Sequence, residues 1–122
     1  MMNFEDLLGK TLKDVYVIGD EEIIFSLPND EQYKLYHYQD CCESVTIEDI
    51  NGDLKDLVGS PILMAEVVTQ KNVNPEGVAV EYQDSFTWTF YKLATIKGYV
   101  TIRWYGESNG FYSEKVDWAK LG

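Results

Sequence analysis

Between Ser85 and Trp104 the chain reads SFTWTFYKLATIKGYVTIRW, and that run constrains the fold more than any other. Phe86, Trp88 and Phe90 alternate with Thr87 and Thr89. A period of two in aromatic and β-branched residues is strand chemistry rather than helix chemistry. Lys97-Gly98 turns the chain into Tyr99–Tyr105, where Val100, Ile102 and Trp104 form the inner face. Gly106–Gly110 (GESNG) turns it again into Phe111–Trp118. The expectation is an antiparallel meander of three strands with an aromatic core. Its exposed side combines Thr87, Thr89, Tyr99, Thr101, Arg103 and Tyr105. Tyrosine and arginine are common interface anchors, and an ordinary solvated sheet face explains these residues equally well.

Upstream the same grammar repeats. Leu12–Ile18, Glu22–Leu27 and Tyr33–Tyr38 are apolar-rich runs separated by Gly19-Asp20 and Pro28-Asn29-Asp30, which is turn chemistry between strands. These form a first meander. Val45–Ile50 reads as a short strand or an extended link, Ile62–Thr69 as a further strand, and 70–84 as the longest loop. Asn3 caps a short helix through Leu8 that Gly9 closes. Asp53 caps a turn or two over Leu54–Val58, and Gly59 ends it. The text KDLVGSPIL (55–63) echoes EDLLGKTLK (5–13), hinting at two units of helix, glycine stop and strand. The match is too short to establish a duplication. The fold class expected is α+β, β-rich: two antiparallel β meanders with one or two short helices, in a single globular domain over 1–122.

The chain has 122 residues, 45% of them hydrophobic, enough for one domain that buries roughly two-thirds of its unfolded surface. No apolar run approaches the roughly 18 residues that span a bilayer. The N-terminus carries Glu5 and Asp6 before its first lysine, the wrong charge order for a signal peptide. A cytoplasmic protein with no membrane partner is expected.

The net charge is −11, and residues 1–66 carry all of the excess, with fifteen acids against Lys10, Lys13, Lys34 and Lys55. Residues 67–122 hold six acids and six bases. Phosphate binding needs lysine and arginine, so direct contact with nucleic acid is not expected. A basic protein surface is the partner that such charge fits. Solubility alone is the simpler account of the same acids.

The stretch from His37 to Ser60 holds the only histidine, both cysteines, and the acids Asp40, Glu43, Glu48, Asp49, Asp53 and Asp56. We take these six acids as the candidate partner-binding set. His37, Cys41 and Cys42 are candidate metal ligands, with Asp40 or Glu43 as a fourth. Zinc sites usually draw on two spaced pairs, and here the second pair is missing. Neighbours on a strand also point to opposite sides, and a buried cysteine is commonly a small hydrophobe. Adjacent Cα atoms lie about 3.8 Å apart, shorter than the usual disulfide span. Two adjacent cysteines are not a secreted framework, which favours a reducing compartment.

Nucleophilic catalysis would have to use His37 as its base, beside acids that stabilise imidazolium and disfavour thiolate. No enzyme is expected on that ground. Asp49-x-Asn51-Gly52-Asp53 departs from a calcium loop in its glycine position and lacks the closing glutamate. There is no glycine-rich phosphate loop, and no cofactor is expected.

The H-x-Q-D-C-C-E-x-V core (His37–Val45) and the W-Y-G-E-S-N-G-x-Y run (Trp104–Tyr112) resemble a family of small bacteriophage and prophage proteins, a domain of unknown function. The resemblance runs from the first strand to Asp117. It implies a viral or prophage origin and brings no mechanism with it. Small acidic phage proteins often bind host proteins, among them nuclease inhibitors and anti-CRISPR proteins that imitate DNA. The expected function is therefore non-enzymatic binding of a protein partner through an acidic surface. A small metal-binding protein using His37 and Cys41 or Cys42, or a phage structural or assembly component, are the alternatives.

Overall fold

Among residues 2–78 and 84–121, which the computed structural model describes, the chain forms β1 (Asp14–Ile18), β2 (Glu22–Ser26), β3 (Gln32–Tyr36), β4 (Ser44–Asn51), β5 (Met64–Lys71), β6 (Ser85–Thr95), β7 (Gly98–Ser108) and β8 (Asp117–Lys120). The two expected helices are single 3-10 turns, Phe4–Leu7 and Leu54–Leu57. Four residues are too few to propagate a helix, and Gly9 and Gly59 end each turn in the left-handed region, at φ 83° and 84°. The protein is thus β-rich, with two antiparallel sheets. No helix among the described residues is long and apolar enough to cross a membrane. The loop expected over 70–84 lies partly outside the described residues, and Lys71 still belongs to β5.

The strands assort as β1-β2-β3-β8 in a first sheet and β4-β7-β6-β5 in a second. The first expected meander is present as β1-β2-β3. The second runs β5-β6-β7, one strand earlier than the sequence led us to expect. Phe111–Trp118 does not extend it. The chain leaves the second sheet after Ser108, crosses over, and pairs as β8 with β3 of the first sheet. In the opposite direction β4 leaves the first meander and pairs with β7.

The face of β6 is a second correction. Thr95 pairs with Gly98 across a two-residue turn, so odd positions of β6 oppose even positions of β7. Thr89 faces Trp104 and Tyr91 faces Ile102, and successive residues alternate sides. Thr87 and Thr89 therefore point inward with Trp104, and both are buried. Phe86, Trp88 and Phe90 share the outer face with Arg103 and Tyr105. There the Arg103 guanidinium lies 5.1 Å from the Trp88 ring, and the Tyr105 ring 4.5 Å from it. Cation–π and ring contacts cover Trp88 on a face that no second sheet covers.

Between the sheets lies one apolar core. Val15, Ile23, Phe25 and Leu35 of the first sheet meet Leu93, Val100, Ile102 and Trp104 of the second. Leu7 and Leu57 of the two 3-10 turns, both 0% exposed, belong to the same core. Burying a side chain of that size contributes about 1.5–3 kcal/mol.

The echo between residues 5–13 and 55–63 has a structural meaning. The Gly9 amide donates to the Ile62 carbonyl at 2.8 Å, and the Gly59 amide donates to the Leu12 carbonyl at 3.0 Å. Gly9 corresponds to Gly59 and Leu12 to Ile62 at a constant offset of 50. The two bonds are therefore the same bond made reciprocally, with Thr11 and Pro61 bridged between them. Strand order obeys the same relation. Each half supplies a 3-10 turn and three meandering strands, then gives its fourth strand to the other half's sheet. The molecule is a pseudo-twofold pair of units with exchanged last strands.

Candidate functional site

The exchanged strands require two crossovers, residues 37–43 and 109–116, and each carries a buried glutamate. In the first, the chain bends at Cys41 and Cys42 and returns under itself, bringing Glu43 to 0% side-chain exposure. Glu43 Oε2 accepts from the Asp40 amide at 3.0 Å and Oε1 from the Cys41 amide at 2.9 Å. His37 Nε2 lies 2.8 Å from Oε2. Burial pushes the Glu43 carboxyl up, but the Asp40 amide, the His37 ring and the Cys41 amide outweigh it and hold its pKa at about 2. The carboxylate is charged at neutral pH.

His37 ties the two crossovers together. Its Nδ1 sits 2.7 Å from the carbonyl oxygen of Lys115, in the second crossover. One ring thus bridges a backbone carbonyl of the second crossover and the buried carboxylate of the first.

In the second crossover Glu114, 8% exposed, lies against the inner face of the second sheet. Its Oε1 accepts from the Thr87 hydroxyl at 2.8 Å and Oε2 from the Ser108 hydroxyl at 2.6 Å. Burial raises its pKa, while the Ser108, Ser85 and Thr87 hydroxyls and the charge of Lys71 lower it further, so the net shift is downward. Gly106 makes this packing possible. A Cβ there would lie 2.9 Å from the Glu114 carbonyl oxygen and 3.1 Å from Val45 Cγ2. Sequence reasoning took Gly106 as a turn residue, but it sits inside β7. A glycine interrupting a strand pattern marks a close backbone approach, and that was the available signal.

The bend also changes the reading of the cysteines. Cys41 and Cys42 are joined to each other, with Cα atoms 3.7 Å apart. The expectation of separate thiols assumed an extended strand, on which neighbouring side chains diverge. Both thiols are engaged in that bond, and both His37 nitrogens are occupied by Lys115 and Glu43. Among the described residues no group of three or more histidine, cysteine or acidic side chains is placed to hold a metal.

The six candidate acids do not form one cluster. Asp40 is exposed beside Glu43, at one end of β4. Asp53 and Asp56 lie past the other end, where Asp53 caps the 3-10 turn by accepting from the Lys55 amide at 3.0 Å. Eight residues of strand separate the ends by about 26 Å. Glu48 and Asp49 fall between them at a β-bulge, where Glu48 pairs with Arg103 at 2.5 Å.

The structure adds acids that the sequence reading did not group with these. The Ile47 amide donates to the Asp20 carbonyl at 2.7 Å, which fastens the β1–β2 turn to the bulge. Asp20, Glu21, Glu48 and Asp49 are all exposed, and they form one acidic strip spanning both sheets.

No curated protein and no solved structure matches the chain. A family model matches residues 5–118, from the first 3-10 turn to β8, and takes in both crossovers. The chain therefore belongs to the family described as a domain of unknown function, DUF7448.

Proposed function

We propose that this protein is a non-enzymatic binding protein whose acidic strip contacts a basic surface on a protein partner. The observation that carries the reading is the Ile47–Asp20 hydrogen bond. It joins two acidic segments far apart in sequence into one exposed strip with Arg103 as its paired cation. The strip borders β4, an edge strand of the second sheet. Concentrated negative charge speeds encounter with basic surfaces and rejects acidic ones.

The resemblance to phage and prophage proteins points the reading toward a bacterial cytoplasm and a host partner. Its sharpest form is inhibition of a nucleic-acid-binding defence nuclease by charge mimicry. The test is affinity capture from host lysate at low and high salt, using wild-type protein and a variant carrying Asp20→Asn, Glu21→Gln, Glu48→Gln and Asp49→Asn. A basic protein held at low salt, released at high salt and lost to the variant is the expected result. Capture that is unchanged in the variant would overturn the reading.

A further inference from the structure

The inner face of the second sheet is not fully covered. β8 has four residues against eleven in β6, so part of the β5–β6 half stays open as a cleft of about 670 Å³. Its floor is hydroxyl-rich. Thr87, Thr89 and Tyr91 project from β6 and Thr69 from β5, with Glu114 beside them. The corresponding face of the first sheet is filled by Val15, Ile23 and Phe25. The two pseudo-equivalent faces therefore differ in kind, one apolar and packed, the other polar and open.

Two of the floor hydroxyls are unspent. Thr89 and Tyr91 are each 5% exposed, line the cleft, and make no side-chain hydrogen bond among the described residues. Neither hydroxyl oxygen is sealed off as a buried polar atom without a partner, so each is reached from the cleft and can exchange water for a ligand. Tyr91 stays protonated, because burial and the charges of Asp117 and Glu5 hold its pKa well above the ordinary value. It therefore offers a donor and an acceptor together.

Charge in the cleft is close to balanced, with Glu5, Glu114 and Asp117 against Lys71 and Lys115. In a chain of net charge −11, that local balance disfavours recognition by charge. Phe4 and Trp118 add aromatic wall. Paired donors and acceptors, aromatic surface and room for more than one ring are what a sugar needs.

We propose that the cleft binds a short neutral saccharide, with the Thr89 and Tyr91 hydroxyls and the Glu114 carboxylate hydrogen-bonding its hydroxyls. This site is separate from the acidic strip and goes beyond the protein-binding reading. The test titrates the protein with maltose, cellobiose, lactose and diacetylchitobiose by calorimetry and by backbone amide shifts. Spermidine serves as the cationic control. Tyr91→Phe and Thr89→Val remove one hydroxyl each and keep the shape, so both are expected to fold.

The expected result is saturable one-to-one binding of at least one disaccharide, with shifts confined to 85–91 and 112–118. Either hydroxyl variant should weaken it about tenfold, while the acidic-strip variant leaves it unchanged. Absence of saturable binding by all four sugars overturns the proposal, whatever spermidine does. Sugar binding that is unaltered in both hydroxyl variants overturns it as well.

Discussion

Glu43 and Glu114 are both carboxylates out of water, and they keep their charge by different means. Glu43 is held by two backbone amides and an imidazole, Glu114 by side-chain hydroxyls. The Glu43 arrangement makes stability depend on acid. Its folded pKa is about 2 against an ordinary 4.5, so between those values the unfolded chain binds more protons than the folded one. The contribution is complete above about pH 4.5 and is lost as pH falls toward about 2. Urea unfolding of Glu43→Gln, followed across that window, should show lower stability at neutral pH and a shallower loss into acid. Gly106→Ala tests the packing beneath Glu114. Its Cβ would meet backbone at 2.9 Å, which cannot swing aside, and a cost of about 1–3 kcal/mol is expected in denaturant titrations.

Among the elements, the 3-10 turns show best how local signals and packing combine. Asp53 and Asn3 start them, Gly59 and Gly9 end them, and between them Leu57 and Leu7 both drop into the one core. The reciprocal glycine amides then lock each turn to the strand entry of the other half. Leu7→Ala and Leu57→Ala remove equivalent, fully buried side chains. Each should cost about 2–5 kcal/mol, and the two losses, read by thermal or urea unfolding, should be alike. The β6–β7 hairpin teaches the converse. Its aromatic face looked like the core because large apolar residues are usually inside. A two-residue turn nevertheless pairs odd with even positions, and the strong inward set of Val100, Ile102 and Trp104 sent Phe86, Trp88 and Phe90 outward.

For the whole molecule, strand exchange makes the two halves interdependent. Residues 1–52 carry β4, whose pairing partner β7 lies in residues 53–122, and the latter carry β8, whose partner β3 lies in the former. Separately expressed fragments 1–52 and 53–122 should each lack cooperative unfolding, because each leaves a strand and an open sheet edge unpaired. Mixed together they should regain β-sheet circular dichroism and a single transition. Two fragments that fold independently would contradict the exchanged topology.

The periods and punctuation of the chain determined where most strands and turns lie. The exceptions are the last strand, which forms at Asp117–Lys120 and not over Phe111–Trp118, and Gly106, which lies inside β7. The limits of β6 match the alternation of Ser85–Thr95, and the Asp53 cap and both glycine stops stand where local chemistry puts them. The echo at an offset of 50 already carried the pseudo-twofold relation in a handful of letters. Tertiary structure alone decided the rest. Any strand can satisfy its amides on any open edge, so nothing local sends β4 and β8 to the opposite sheet; closure of both sheets around one core does. The burial of Glu43 and Glu114 follows from those crossings. The hydrogen bond that gathers Asp20, Glu21, Glu48 and Asp49 does as well, because its donor and acceptor meet only after the sheets have assembled.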